Sequence, residues 1–233
     1  MIGFYDYTVI LTYMSLLSGM LGIIVCLHGV GHPYMGIFFL MFSGLCDTFD
    51  GKVARTKKNR SDQAKGFGVQ IDSLSDLVAF GTLPGCIGFA MLRSSVRLTD
   101  VPHLKLLDTS DKLVIYPIIL TIVVLFYVLA AMIRLAYFNV LEEERQKVEQ
   151  GARKYYIGLP VTSAALIFPT FMLIQFWTKH DLTLFYFVLM FVTAVLFLLR
   201  IEVRKPGTKA ILIMVAIGAV EAVLLVLLKF HVL

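Results

Sequence analysis

Charged residues are scarce in this chain. Asp, Glu, Lys and Arg make up 16% of its 233 residues, whereas hydrophobic residues make up 58%. A soluble globular domain carries about 25% charged residues. The mean hydropathy is also high, at +0.83. The composition therefore argues against an ordinary soluble domain and predicts an all-α polytopic membrane protein.

Cysteine is scarce too, with Cys26, Cys46 and Cys86 the only residues of this type. All three lie in apolar stretches, their number is odd, and they form no closely spaced pair. This pattern argues against a disulfide framework and against a cysteine-ligated zinc site.

The sequence contains no low-complexity tract and no polar stretch that indicates a separate soluble domain. Its net charge of +5 comes from basic residues that flank apolar segments. In that position they favour contact with anionic lipid headgroups over contact with nucleic acid. We therefore expect membrane lipids, and no nucleic acid, among the partners.

Seven apolar windows approach or exceed the length of about 20 residues that a membrane-spanning helix needs. They are residues 7–28, 33–55, 68–92, 112–140, 157–178, 182–200 and 208–229. The connection between the second and third windows holds six cations and one acid. The cations are Lys52, Arg55, Lys57, Lys58, Arg60 and Lys65.

Alternate connections share this basic character, and Lys and Arg in short loops are retained on the cytoplasmic side. We therefore expect the amino terminus inside, the carboxyl terminus outside and residues 93–111 on the far side. The basic residues Arg93, Arg97 and Lys105 in that far-side segment weaken the asymmetry without reversing it.

Four aspartates interrupt the second and third windows. They are Asp47, Asp50, Asp72 and Asp76. An ionised Asp near the middle of a membrane helix costs about 2.5–3.5 kcal/mol on insertion scales, so these side chains should face a polar cavity. The first pair is spaced i, i+3 and the second i, i+4, so each pair projects from one helix face. Two facing helices would bring four carboxylates together, which predicts a site for Mg²⁺ or Mn²⁺, with two ions plausible.

Small residues accompany the aspartates. Gly51 directly follows the second aspartate, Ala54 lies one turn after it, and Gly68 lies one turn before the third. Glycine allows a ligand to approach the backbone. Arg55 adds a guanidinium fork suited to a diphosphate. Together these four residues predict a phosphate-binding groove.

The complete pattern is Asp47-x-x-Asp50-Gly51-x-x-Ala54-Arg55, followed by Gly68-x-x-x-Asp72-x-x-x-Asp76. It resembles the signature of the CDP-alcohol phosphotransferase family at every position. The resemblance implies a six-helix catalytic membrane core, here residues 1–200, with an additional transmembrane helix in residues 201–233. It also implies transfer of a substituted phosphate from a CDP-linked donor to an alcohol, with release of CMP, at a cytoplasmic-side cavity that binds two divalent metals.

The same resemblance assigns roles to the signature residues. Asp76 would be a metal neighbour that serves as the general base. The remaining metal ligands would be Asp47, Asp50 and Asp72. The cytidine diphosphate site would be lined by Gly51, Ala54, Arg55 and Gly68. Members of the family are commonly homodimers, so we expect a homodimer.

Flanking segments resemble the phosphatidylserine synthase branch of the family. They are FGVQIDSLSDLVAFGTLPG at 67–85, MIRLAYFNV at 132–140 and YYIGLPVTSAA at 155–165. The implied substrates are CDP-diacylglycerol and L-serine. The chain departs from the branch at Tyr137, where Arg is usual, and at Thr162, where Pro is usual.

Arg134 lies inside the fourth window, and Asn139 follows it toward the cytoplasmic end. A buried arginine in a membrane is costly and usually functional. Because serine carries a carboxylate, we expect these two residues to contact the acceptor or the lipid phosphate. A structural pairing of Arg134 with a signature aspartate is the alternative. Glu221 in the last window has no partner at a diagnostic spacing and stays unassigned.

Other functions stay open. Inositol, glycerol phosphate or choline as acceptor, or an ether-lipid donor, would use the same catalytic residues. An intramembrane prenyltransferase also binds diphosphates through aspartates, but without this glycine, alanine and arginine pattern. An ion transporter would distribute its carboxylates along a pathway, whereas these occupy two adjacent helices.

Overall fold

A computed structural model describes residues 3–28, 32–94, 112–148, 155–178, 180–204 and 207–231, and nearly all of them are helical. The helices are α1 (Ile10–Leu27), α2 (Pro33–Thr56), α3 (Asp62–Asp76), α4 (Leu83–Ser94), α5 (Lys112–Val148), α6 (Ala164–Thr178), α7 (Thr183–Leu198) and α8 (Thr208–His231). Each of the seven apolar windows corresponds to one helical stretch, since α3 and α4 belong to a single long helix. The expectation of an all-α polytopic membrane protein is confirmed.

Within the part of the chain that the structure describes, five helical stretches are long and apolar enough to cross a membrane. They are Ile10–Leu27, Asp62–Ser94, Ile118–Glu144, Val161–Thr178 and Lys209–Leu227. Helix α7 is apolar but shorter. Helix α2 is long enough, yet it carries the first two aspartates together with Lys52 and Arg55. Its polar residues mark it as a helix that lines a site.

A wide π-helical segment, Leu77–Thr82, joins α3 to α4 directly after Asp76. Pro84 explains it, because proline has no backbone N–H and its ring clashes with the carbonyl four residues earlier, here that of Phe80. The segment widens to i→i+5 bonding, with the N–H of Leu83 donating to Val78 O. The hydroxyl of Tyr127 on α5 donates to Phe80 O at 2.8 Å. A side chain therefore supplies the donor that proline lacks.

Small side chains bring α1 against α2 and against the π segment. The hydroxyl of Ser43 donates to Ser15 O at 3.0 Å, which joins α1 to α2. An ideal Cβ at Gly19 would lie 2.9 Å from the Cα of Ala79, so only glycine allows this approach. Helix α1 is thereby held beside the aspartate-bearing parts of the chain.

Two short strands were not predicted. Strand β1 (Tyr155–Ile157) pairs antiparallel with β2 (Glu202–Arg204). The fifth window was expected to be helical from residue 157, but α6 begins only at Ala164. Gly158, with a φ of +78°, and the following Leu159 and Pro160 turn the chain before the helix starts.

Helix α8 packs against α6 and α2. Glu221 is 6% exposed, and its Oε1 accepts a 2.5 Å hydrogen bond from the hydroxyl of Thr170 on α6. The intramembrane acid that the sequence left unassigned therefore lies in the contact between the additional helix and the bundle. The division of the chain at residue 200 stays a prediction.

Candidate active site

The structure brings together the carboxyl groups of α2 and α3. Asp47, Asp50 and Asp72 each offer one oxygen, and these three oxygens lie within 4.8 Å of one another. The carboxyl group of Asp76 lies against that of Asp47, and the carboxyl group of Asp50 lies against that of Asp72. All four predicted side chains therefore belong to one cluster that spans two helices.

This cluster fits a divalent cation. Hard cations such as Mg²⁺ take carboxylate oxygens as ligands. Asp50 and Asp76 are only 8% and 7% exposed, and like charges so close together repel strongly unless a cation compensates them. The donor set is composed of oxygens alone, which favours Mg²⁺, Ca²⁺ or Mn²⁺ over softer metals.

Helix α1 supplies a contact to this cluster that the sequence analysis missed. The hydroxyl of Thr12 donates to Oδ2 of Asp50 at 3.1 Å. The hydroxyl of Ser75, next to Asp76, donates to the backbone carbonyl of Thr12 at 3.1 Å. A hydroxyl in an apolar helix gives no signal of its partner, so only the packing of α1 reveals this contact.

An arginine side chain lies next to each glycine of the signature. An ideal Cβ at Gly51 would lie 3.5 Å from Nη1 of Arg55, and one at Gly68 would lie 2.8 Å from Nη2 of Arg60. Ala54, on the same stretch of α2, is half-buried. The sequence pattern predicted that Gly68 leaves room for a ligand. In the structure, the guanidinium group of Arg60 fills that room.

Arg134 and Asn139 lie on α5 at different places. Arg134 is 6% exposed; its guanidinium carbon lies 5.4 Å from the ring centroid of Phe138, and its Nε lies 3.3 Å from an ideal Cβ at Gly158. Asn139 donates from Nδ2 to Oγ of Ser73 at 2.8 Å. Asn139 therefore joins α5 to α3 beside Asp72, whereas Arg134 lies beneath the turn that follows β1.

A second arginine, Arg200, lies next to Tyr137. Arg200 was not predicted as a site residue. The Nη2 of Arg200 donates to the hydroxyl of Tyr137 at 3.4 Å. Its guanidinium carbon lies 5.9 Å from the centroid of the tyrosine ring. A cation therefore lies next to the position at which the branch resemblance led us to expect an arginine.

The sequence matches the CDP-alcohol phosphatidyltransferase family over residues 8–199. A CDP-diacylglycerol–serine O-phosphatidyltransferase of Saccharomyces cerevisiae is 33% identical over 67% of this chain and 50% of that protein. The enzyme of the same name from Bacillus subtilis is 30% identical over 67% of this chain and 69% of that protein.

An archaetidylserine synthase of Methanothermobacter thermautotrophicus is 29% identical over 73% of this chain and 59% of that protein. The chain thus spans about half to two thirds of the length of these curated relatives. No solved structure matches the chain. The family match includes both blocks of the signature and every helix from α1 to α7, and we conclude that the chain belongs to the CDP-alcohol phosphatidyltransferase family.

Proposed function

We propose that this protein transfers a phosphatidyl group from CDP-diacylglycerol to the hydroxyl of L-serine, giving phosphatidylserine and CMP. The observation that carries the proposal is the convergence of Asp47, Asp50 and Asp72 within 4.8 Å, with Asp76 beside them. The serine acceptor is supported by the names of the curated relatives at 33% and 30% identity. Family membership favours this chemistry over a prenyltransferase or an ion transporter.

In this proposal, Asp47, Asp50, Asp72 and Asp76 hold two divalent ions, Mg²⁺ or Mn²⁺. When bound, the ions would stabilise negative charge on the diphosphate and on the departing CMP. Arg55, whose guanidinium lies over Gly51, would donate N–H groups to the diphosphate. These residues bind and orient the donor.

Asp76 is proposed as the general base. The serine oxygen forms a bond to the lipid-linked phosphorus, the bond from that phosphorus to the CMP oxygen breaks, and the serine proton passes to the carboxylate of Asp76. The electron pair of the broken bond leaves with CMP. Arg134 and Asn139 are the candidates for contact with the serine carboxylate or the lipid phosphate.

The decisive experiment measures CMP release by the purified protein with one alcohol at a time. We expect release from CDP-diacylglycerol with L-serine, and far less with inositol, glycerol phosphate or choline. An Asp47→Asn variant controls for contaminating activity. Release with another alcohol but not with serine would overturn the acceptor assignment, and no release with any alcohol would overturn the reaction.

An ether-linked donor is the second candidate, favoured by the 29% identity to an archaetidylserine synthase. The same assay with CDP-archaeol beside CDP-diacylglycerol separates the two. A higher kcat/KM for the ether-linked lipid would replace the acyl donor in the proposal.

We further propose that the protein is an integral protein of the cell membrane, forms a homodimer and opens its active site to the cytoplasm. Cysteine labelling tests the orientation. Lys58 and His180 are both exposed and lie at opposite ends of the expected topology. A membrane-impermeant thiol reagent should label His180→Cys in intact cells and Lys58→Cys only in opened membranes. The opposite result would reverse the orientation, and crosslinking in the membrane tests the dimer.

A further inference from the structure

Arg60 lies in the connection between α2 and α3, outside the two blocks of the signature. We propose that it is a second phosphate-binding arginine of the active site, which donates to the phosphate groups of the nucleotide-linked donor alongside Arg55. This inference rests on the proposed function, because it takes a CDP-linked lipid as the donor.

The guanidinium group of Arg60 lies beside Gly68. An ideal Cβ at Gly68 would lie 2.8 Å from Nη2 of Arg60, so the arginine occupies the direction in which a residue-68 side chain would point. Residues 68, 72 and 76 are spaced i, i+4 and i+8 and share one face of α3. The guanidinium therefore lies on the face that carries Asp72 and Asp76, about 6 Å along the helix from Asp72.

Arg60 and Arg55 occupy equivalent positions beside the glycines of the two aspartate-bearing helices. Gly51 lies one turn after Asp47 on α2, as Gly68 lies one turn before Asp72 on α3. Because the two helices are consecutive and their carboxylates meet, both glycines lie at the same end of the acidic cluster. Each glycine is covered by an arginine, Gly51 by Arg55 and Gly68 by Arg60. Two guanidinium groups thus flank that end of the cluster, where a diphosphate bridging to bound metal would lie.

Arg60 has unused hydrogen-bonding capacity. Its Nη2 donates to Ala64 O at 2.9 Å, but its buried Nε has no hydrogen-bond partner among the residues that the structure describes. A guanidinium group carries five N–H donors and recognises phosphate through paired donors. A buried donor without a partner is costly, and a phosphate oxygen would satisfy it.

Two neighbouring lysines differ from Arg60 in that each forms an ion pair. Lys57 pairs with Asp6 at 2.8 Å, and Lys65 pairs with Asp62 at 2.9 Å. Within the described part of the chain, Arg60 forms no ion pair with a carboxylate. Its charge is thus available to an anionic ligand, whereas those of the two lysines already have partners.

The experiment measures binding of soluble CDP in the presence of Mg²⁺ by calorimetry, together with the KM values for CDP-diacylglycerol and serine. In Arg60→Gln we expect the Kd for CDP and the KM for the CDP-lipid to rise about tenfold or more, with the KM for serine little changed. Arg60→Lys should recover part of the loss. Lys65→Gln is the matched control, because it removes one positive charge from the same region, and it should stay near wild type.

Gly68→Ala tests the pairing itself. The added Cβ would displace the end of the Arg60 side chain, so the variant should reproduce the rise in the Kd for CDP. Combining it with Arg60→Gln should then add little, because both changes remove the same interaction. Fully additive losses would mean that Gly68 acts independently of Arg60 and would overturn the paired arrangement.

The remaining outcomes are equally distinct. If wild type binds CDP but Arg60→Gln binds it as tightly as Lys65→Gln does, the inference is overturned while the proposed function stands. If Arg60→Gln changes only the dependence on anionic lipid in vesicles, Arg60 binds bulk headgroups and not the donor, and the inference also fails. A lowered melting temperature with an unchanged Kd would show a purely structural role. If wild type binds no CDP, the inference and the proposed function fall together.

Discussion

The hydroxyl of Thr12 on α1 donates a 3.1 Å hydrogen bond to Oδ2 of Asp50 on α2. The backbone carbonyl of the same threonine accepts a hydrogen bond from Ser75 on α3. One residue outside the signature therefore contacts both aspartate-bearing helices. A ligand carboxylate that is held by a hydrogen bond presents a fixed oxygen to its metal.

Replacing Thr12 with Val should weaken metal binding, because Asp50 loses the donor that orients it. We expect the Mg²⁺ concentration for half-maximal CMP release to rise by about 10- to 100-fold, as for other outer contacts of metal ligands. Thr12→Ser should retain most of the affinity. Thr193→Val is a suitable control, since its buried hydroxyl donates within α7, to Leu189 O. Equal effects of the two valine variants would contradict the role of Thr12.

Replacing Asp76 with Asn should abolish transfer but spare binding. The amide keeps the size of the side chain and cannot accept the serine proton, so kcat should fall by about 10²- to 10⁴-fold. CDP should still bind in the presence of Mg²⁺. Asp62→Asn is the matched control, because that carboxylate is exposed and pairs with Lys65. Turnover at the wild-type rate would remove Asp76 as the base.

Metal removal should affect both activity and stability. Chelation with EDTA should stop CMP release, and added Mg²⁺ or Mn²⁺ should restore it. Because the ion binds only the folded state, it should also raise the melting temperature in detergent. Asp72→Asn should lose this rise, because an amide is a poorer ligand for the ion than a carboxylate. Full activity after exhaustive chelation would contradict the metal site.

Replacing Tyr127 with Phe should destabilise the helix that carries Asp76. The hydroxyl of Tyr127 bonds to Phe80 O at 2.8 Å, and Pro84 removes the usual α-helical donor for that carbonyl. We expect a loss of about 1–3 kcal/mol in the free energy of unfolding. Tyr186→Phe, which loses a bond to Pro84 O, should cost less, since Gly88 four residues later has an N–H. Equal losses in denaturant titrations would contradict this account.

The convergence of the aspartates could be predicted because it depends on local geometry. Spacings of three and four residues place each pair on one helix face, and a short connection between α2 and α3 makes the two helices neighbours. The contacts of Thr12 and Arg60 could not be predicted in this way. Their partners are set by how separate segments pack, and neither residue belongs to a spacing pattern that indicates its partner.

The basic residue Arg93 shows a second limit of sequence reasoning. Basic residues on the expected far side weaken the charge asymmetry that orients the bundle. In the structure, Nη1 of Arg93 donates to Leu27 O at 3.4 Å and Nη2 donates to Cys26 O. Arg93 therefore satisfies carbonyl groups at the end of α1, as basic side chains near helix termini often do. Its charge has a structural partner that a count of loop residues does not reveal.

The π segment changes the phase of the long helix in which it lies. One inserted residue rotates everything beyond it by about 100° relative to an unbroken α-helix. A helical wheel drawn straight through residues 62–94 would place Leu83 on the same side as Asp76, two turns later. The insertion turns Leu83 away, into the apolar interior where it is fully buried. The hydrophilic side of the helix thus ends just beyond Asp76, and most of α4 is buried among the apolar side chains of the bundle.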